Sequence, residues 1–85
     1  VYSLIPDSDE QDLILAIDAA KKAFSSWANT PVSIRSKVLL KIAELIEEKQ
    51  EDLALAESID NGKPLSLAKT MDIPRAAANF HFYGT

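Results

Sequence analysis

Apolar residues recur at intervals of three and four positions along most of this chain, which is the spacing of one face of an α-helix. In the first long segment the stripe consists of Leu13, Ile17, Ala20, Phe24 and Trp27, with the charged residues mainly off it. A helix with such a stripe is stable only where the stripe packs against another element. The pattern therefore predicts a mainly α-helical chain of three to five helices.

Residues typical of helix starts precede the first two stripes. Ser8 and Gln11 are spaced as a capping box, and acidic neighbours suit the positive end of the helix dipole. Thr30 offers a hydroxyl cap before Pro31, which suits the first helical position. Ahead of both helices, the β-prone run at positions 1–5 predicts a short N-terminal edge strand, for which the sequence offers no partner.

Charged and turn-forming residues divide the rest of the chain. The charge-rich run 47–52 predicts a solvated break before a third helix. Gly62 and Pro64 predict the end of that helix, because glycine adopts the left-handed conformation and proline cannot continue the helix. Residues 65–70 suit a short helix, and the segment 72–74 predicts a restart with an aspartate cap and an early proline.

Composition and charge narrow the possible functions. The 85 residues carry a net charge of −4 with acids and bases interspersed, which disfavours nucleic-acid binding. The absence of cysteine and of any apolar run of about 20 residues favours a cytoplasmic protein that does not enter a membrane. We expect one domain at most, residues 1–85, and a chain that begins without Met and stops abruptly is expected to be incomplete at both ends.

The usual catalytic constellations are missing from the sequence. His81 is the only histidine, which excludes a local His-based triad or a two-imidazole metal site and favours a packing or surface role. Glu47 and Glu51 are poor acid–base candidates because they lie in the solvated charge run. Two glycines do not make a phosphate-binding loop. We therefore predict no catalytic and no cofactor-binding residue within this chain.

Three segments nevertheless resemble a known family. Residues 57–64 (ESIDNGKP) are similar to the D-x-G-K-P stretch near the start of the NAD(P)-dependent aldehyde dehydrogenases, and residues 19–27 (AAKKAFSSW) are similar to the A-x-x-A-F-x-x-W pattern that precedes it. Residues 31–46 resemble the helix between these two signatures. The matches occur in the family's order and cover nearly the whole chain.

A further motif narrows the resemblance. Residues 70–75 (TMDIPR), followed by N-F-x-F at 79–82, resemble the subgroup that oxidises 2-aminomuconic and 2-hydroxymuconic semialdehydes. The resemblance implies a longer α/β parent enzyme with a Rossmann-like cofactor domain, of which this chain is the N-terminal helical part. It also implies NAD or NADP as the cofactor and the rest of the parent chain as partner. A part of a larger enzyme with uncovered apolar faces is further expected to form a homo-oligomer or a domain-swapped self-association.

The family's chemistry would be supplied by residues outside this chain. The resemblance implies a cysteine thiolate that attacks the aldehyde, a nicotinamide that takes the hydride, and a glutamate that activates the hydrolytic water. Asn61 and Asn79 do not match the family's oxyanion-stabilising asparagine. The parent is expected to oxidise a small carboxylated semialdehyde to the acid, and the 85 residues alone are expected to be inactive.

Two candidate site residues follow from the resemblance. Arg75 matches the place of a residue that lines the substrate tunnel, where an arginine would hold a substrate carboxylate; the alternative is an ion pair with Asp72. Asp60 matches a position near a structural cation, to which it would give an oxygen; the alternative is a helix-ending residue beside Gly62. Three aromatic residues suit either a tunnel wall or a core: Phe80, Phe82 and Tyr83.

A second hypothesis is an independent helical module that binds partner helices through its apolar stripes. Such a module would cover its stripes from within, whereas part of a larger enzyme would leave apolar faces exposed. The exposure of the stripes therefore separates the two hypotheses.

Overall fold

Five α-helices and one π-helical turn make up the regular structure of residues 3–85, the part of the chain that the computed structural model describes. The prediction of a mainly α-helical chain is confirmed. The chain divides into a first unit that ends at Pro31 and a second unit, Val32–Thr85. The elements in chain order are α1 (Glu10–Ala28), α2 (Val32–Glu48), α3 (Gln50–Asn61), α4 (Leu65–Leu67), the π-helical turn (Ala68–Asp72) and α5 (Ile73–Gly84).

The start of α1 is a capping box, one residue later than predicted. The Asp9 carboxylate accepts a hydrogen bond from the Asp12 amide, and the Asp12 carboxylate accepts one from the Asp9 amide, both at 3.1 Å. The prediction of Ser8 with Gln11 is therefore wrong. Two carboxylates satisfy the first free amides and also lie at the positive end of the helix dipole, which a serine with a neutral glutamine does not match.

The apolar stripe of α1 is exposed along its length. Leu13 and Phe24 expose 58% and 70% of their surface, and no residue of α1 is buried. At the other end of the helix, the Asn29 side-chain amide donates to the Ser25 carbonyl at 2.8 Å. The hydrogen bonds of the helix ends thus lie within the first unit itself.

The predicted N-terminal strand is not seen in the residues that can be described. Val1 and Tyr2 lie outside them, and residues 3–9 have no regular structure. Leu4 and Ile5 are exposed. A strand needs a hydrogen-bonded partner, and residues 3–85 contain no strand to provide one.

Helices α2 and α5 pack through small residues. Ala43 of α2 and Ala77 of α5 are buried, and so is Gly84 at the end of α5. A Cβ at Gly84 would lie 3.0 Å from Cδ2 of Leu40, so only glycine fits this close approach without a shift. The Ser36 hydroxyl donates to the Gly84 carbonyl and ties the end of α5 to α2.

Alanine supplies the rest of the core of the second unit as well. Ala54 of α3 and Ala68 of the π-helical turn are fully buried. No large side chain in residues 3–85 is fully buried. Small residues let helix backbones approach closely but leave the large apolar side chains at the edges of the contact. In the apolar stripe of α2, Ile34, Val38 and Leu45 are accordingly exposed, whereas Leu39, Ile42 and Ile46 are partly buried. Large apolar residues of this unit with substantial exposure include Val32, Ile34, Val38, Leu45, Leu53, Leu55, Ile59, Leu65, Leu67 and Met71.

Turns between α2, α3 and α4 fall where the sequence predicts them. Only Lys49 separates α2 from α3, within the charge-rich run 47–52. Gly62 follows α3 with a left-handed φ of 78°, and the Asn61 side chain accepts from the Lys63 amide at 2.8 Å. The predicted break and the predicted helix end at Gly62 are therefore confirmed, whereas Gln50 of the run is partly buried instead of solvated.

The predicted restart at 72–74 is wrong, because the helix does not stop there. Asp72 is helical, with φ −69° and ψ −50°, and its side chain caps nothing. The π-helical turn carries the chain from α4 into α5 without a break. A widened turn relieves the clash that a proline ring makes with the preceding turn of a regular α-helix, so Pro74 is accommodated inside the helix. None of the helices in residues 3–85 is both long and apolar enough to cross a membrane.

Candidate functional site

Arg75 lies in the first turn of α5, directly after Pro74, and is exposed. It lines an open groove of about 610 Å³ on the second unit. The groove combines residues of the π-helical turn with residues of α5, and its other lining residues are Thr70, Met71, Pro74, Ala78, Asn79 and Phe82. One guanidinium among mostly apolar and neutral neighbours can bind a carboxylate group.

The Asp72 carboxylate, the alternative partner considered for Arg75, pairs with Lys63. Lys63 Nζ lies 2.7 Å from Asp72 Oδ2, and this oxygen is buried. The hydrogen bond to Asp72 raises the pKa of Lys63 above its usual value of 10.5. Arg75 makes no ion pair within residues 3–85. The guanidinium is therefore available to a ligand.

Asp60 is exposed near the end of α3, two residues before Gly62. The hydrogen bonds at this turn come from its neighbours, since Asn61 accepts from the Lys63 amide and the Ser58 hydroxyl donates to the Lys63 carbonyl at 2.6 Å. Within residues 3–85 no cluster of three or more acidic, histidine or cysteine side chains surrounds it. A cation there would take its other ligands from outside the described residues. Its role as a cation ligand stays a prediction.

Aromatic residues of α5 are exposed in this structure. Phe82 and Tyr83 expose 70% and 76% of their surface, and their rings meet edge to face with centroids 5.1 Å apart. Phe82 borders the Arg75 groove, whereas Phe80 and Tyr83 line a small apolar hollow of about 190 Å³ beside Leu39. The exposure of these aromatic residues favours a role in lining a ligand site or in contacting further protein over a role in the core.

His81 lies on the exposed surface of α5, which favours the surface role over the packing role that the sequence also allowed. It borders a second open groove of about 730 Å³ together with Glu47 and Gln50. This groove adjoins the Arg75 groove, because Pro74, Ala78 and Phe82 line both, but neither Glu47 nor His81 borders the Arg75 groove.

Sequence reasoning missed two residues that support the Arg75 segment. Gln50 Nε2 donates to the Lys69 carbonyl at 2.6 Å, and Lys63 forms the ion pair described above. Pro74 was the available signal, because a proline inside a helix leaves an earlier carbonyl without its amide donor. Finding the substitute donor, 19 positions earlier in the chain, requires the tertiary structure.

The described residues do not form a dinucleotide cradle. A cradle needs several backbone amides at a glycine-rich turn that opens a helix. Here Gly62 ends α3 and Gly84 packs against α2, so both glycines serve helix geometry.

Comparison with known proteins gives one consistent result. Residues 1–85 match the profile of the aldehyde dehydrogenase family. The chain is 45% identical over 85 residues to 2-aminomuconic semialdehyde dehydrogenases from Bos taurus and from Homo sapiens, covering 100% of this chain and 18% of each relative. It is 41% identical over 83 residues to an aldehyde dehydrogenase from Vibrio cholerae, covering 98% of this chain and 16% of that relative.

A solved structure agrees with the sequence relatives. A crystal structure from Burkholderia cenocepacia that is assigned to the aldehyde dehydrogenases superposes with a TM-score of 0.85 at 42% identity, covering 87% of this chain and 15% of that chain. The chain thus spans less than a fifth of the length of these relatives. The resemblance to the family is confirmed, and the match over all 85 residues supports the first hypothesis over the independent module.

Proposed function

The chain belongs to the aldehyde dehydrogenase family, and from this we propose that it is the N-terminal helical part of the cofactor-binding domain of an enzyme that oxidises an aldehyde to the acid. The cofactor in this proposal is NAD or NADP, held by the remainder of the enzyme. The proposal is supported by the match along the whole chain and by the greater length of the relatives. A cytoplasmic location and a homo-oligomeric enzyme are parts of the same proposal.

Exposed apolar faces support the assignment to a larger enzyme. The stripe of α1 and the large apolar residues of α2 to α5 are open to solvent in the chain alone. Patches of this kind mark surfaces that contact further protein. We therefore expect the 85 residues, produced alone, to be inactive and to self-associate, with a light-scattering mass above that of one chain; a stable monomer would favour the independent module.

The proposed substrate is a small aldehyde that carries a carboxylate at some distance from its aldehyde group. The observation that carries this choice is the exposed Arg75 in its groove, while the nearby Asp72 is already paired with Lys63. A free guanidinium presents planar donors that match both oxygens of a carboxylate. Relatives named 2-aminomuconic semialdehyde dehydrogenase favour the same substrate class.

In this proposal the described residues bind and orient the substrate and take no part in the bond-making steps. When bound, the nicotinamide supplies the hydride acceptor. The Arg75 guanidinium would hold the substrate's carboxylate, while Met71 and Phe82 would give the groove apolar walls. Fixing the charged end of a short semialdehyde restricts where its aldehyde end can lie, which promotes reaction by orientation.

Replacing Arg75 by Met in the complete enzyme tests the proposal. A hydrogen bond to a charged group contributes about 1.5–3 kcal/mol, so we expect kcat/KM for a carboxylated semialdehyde to fall about ten- to a hundredfold. The value for a plain aliphatic aldehyde should change little. Lys37→Met, which removes an exposed cation from α2, is the matched control and should affect neither substrate.

Equal losses for both aldehydes after Arg75→Met would contradict carboxylate recognition by this residue. They would leave the family assignment intact, since that rests on the whole chain.

A further inference from the structure

The proline after the π-helical turn leaves one backbone carbonyl without its helical donor. In this turn the Ile73 amide donates to the Ala68 carbonyl, five residues earlier. The next amide in the same pattern would belong to Pro74, which has no N–H, so the Lys69 carbonyl lacks its donor. Gln50 Nε2 donates to this carbonyl at 2.6 Å, in a partly buried position. A side chain from the first residue of α3 thus replaces the missing backbone bond.

The extra residue of a π-helical turn rotates the later part of a helix relative to the earlier part. Each residue turns an α-helix by about 100°, so Ala68 and Ala77 would face roughly opposite sides of an uninterrupted α-helix. The widened turn brings these two faces about 100° closer. Ala68 and Ala77 are accordingly both buried in the second unit. The turn therefore allows one continuous helix to pack through small residues on either side of it.

The same rotation assembles the Arg75 groove. Thr70 and Met71 come from the π-helical turn, whereas Arg75 and Asn79 come from α5. If the turn reverted to regular α-helix, the two sets would rotate about 100° relative to each other. The shape of the groove around the guanidinium thus depends on the turn.

From this geometry we propose that Gln50 is a positioning residue for carboxylate recognition by Arg75. Its hydrogen bond to the Lys69 carbonyl holds the π-helical turn, and the turn sets the orientation of Arg75 relative to Thr70 and Met71. Gln50 borders the adjoining groove and not this one, and its hydrogen bond is to the backbone carbonyl of Lys69. The inference deepens the proposed function and rests on the role of Arg75 in it.

Gln50→Met in the complete enzyme is the primary test, because Met keeps the length of the side chain and removes the donor. One hydrogen bond has a net value that corresponds to about a two- to tenfold change, so we expect kcat/KM for a carboxylated semialdehyde to fall by that factor. The value for an aliphatic aldehyde of equal length should stay within about twofold. Gln11→Met, the same substitution at an exposed position of α1, is the matched control and should change neither value.

A second pair of variants separates loss of the donor from loss of stability. Gln50→Lys keeps a donor at the end of the side chain and should retain most of the preference for the carboxylated substrate. Gln50→Glu places an acceptor against the Lys69 carbonyl and should lose the preference. Melting temperatures of all variants identify any that fail to fold, and the Lys and Glu pair then carries the test in place of Met.

A Pro74→Ala background provides a further check on the mechanism. An alanine at this position has an amide that can donate to the Lys69 carbonyl. Gln50→Met should therefore lower the preference for the carboxylated aldehyde less in this background than in the wild type. An equally large loss of preference in both backgrounds would overturn the proposal, because Gln50 would then not be substituting for the missing amide. Equal losses for both aldehydes after Gln50→Met in the wild-type background would also overturn it.

Failure of this inference can be told apart from failure of the proposed function. If Arg75→Met lowers the preference and Gln50→Met does not, the role of Gln50 is wrong and that of Arg75 stands. If Arg75→Met leaves the preference unchanged, carboxylate recognition by Arg75 is wrong, and the role of Gln50 falls with it.

Discussion

Side-chain hydrogen bonds in the α1 unit, such as those of Asp9, Asp12 and Asn29, join residues three or four positions apart. In the second unit, Gln50 reaches 19 positions to Lys69 and Ser36 reaches 48 positions to Gly84. The buried alanines and Gly84 lie in the second unit, whereas no residue of α1 is buried. The first unit is therefore specified by local interactions, and the second by contacts between distant segments.

This difference shows what a small helical segment needs from the rest of a protein. A capped amphipathic helix can take its direction from its own sequence, but its apolar stripe gains stability only when covered. Helices that meet through alanine and glycine instead recognise each other by close fit. The two units therefore respond differently to the same kind of substitution.

The largest effect is expected from enlarging a buried alanine. Ala77→Leu forces a larger side chain into the contact between α5 and α2 and should destabilise the second unit by about 1–3 kcal/mol. Ala20→Leu in exposed α1 should change stability by no more than about 0.5 kcal/mol. Residue-resolved amide hydrogen exchange measures both, since it reports α1 and α5 separately. Equal effects at the two positions would break the distinction between the units.

A smaller effect is expected from the cap of α1. Asp9→Ala removes both the acceptor for the Asp12 amide and one partner of the reciprocal box, and should cost α1 about 1 kcal/mol. Ser8→Ala, one position earlier, should cost almost nothing, because Ser8 is not the cap. Hydrogen exchange in the first turn of α1 is the measurement. A larger loss from Ser8→Ala would restore the capping box that the sequence alone predicts.

The smallest effect concerns the Lys63–Asp72 ion pair. Since Asp72 raises the pKa of Lys63 above 10.5, the stability from this pair is fully present below the unfolded value and is lost as pH rises through the folded value. Unfolding curves of wild type and Lys63→Met should therefore differ by a constant small amount at neutral pH and converge in strongly alkaline solution. Lys21→Met in α1 is the control and should show no such convergence.

Features encoded by neighbouring residues could be predicted from the sequence. The helical segments, the break in the run 47–52 and the stop at Gly62 each depend on a few adjacent positions, and each is confirmed. The cap of α1 was missed by one residue, because Ser8 and Asp9 both have the chemistry of an N-cap. Deciding between them requires knowing which backbone amides are free.

Features that depend on distant residues could not be predicted. Asp72 before Pro74 indicates a helix start when only neighbours are considered, whereas Gln50 and Lys63 stabilise a continuous helix there. The buried core residues could not be identified from the sequence either, because alanine suits exposed and buried helix positions equally well. For the candidate site, the sequence placed Arg75 next to Asp72, and the structure was needed to show that Asp72 pairs with Lys63.

A core of alanine and glycine also has a calorimetric consequence. The heat-capacity change of unfolding grows with the apolar surface that unfolding exposes, and typical domains gain about 12–15 cal/mol/K per residue. Much of the large apolar surface of this chain is already open to water in the folded state. The isolated chain should therefore melt with an unusually small heat-capacity increment and a shallow dependence of its stability on temperature. The missing increment should appear as a negative heat-capacity change when the rest of the proposed enzyme covers these faces.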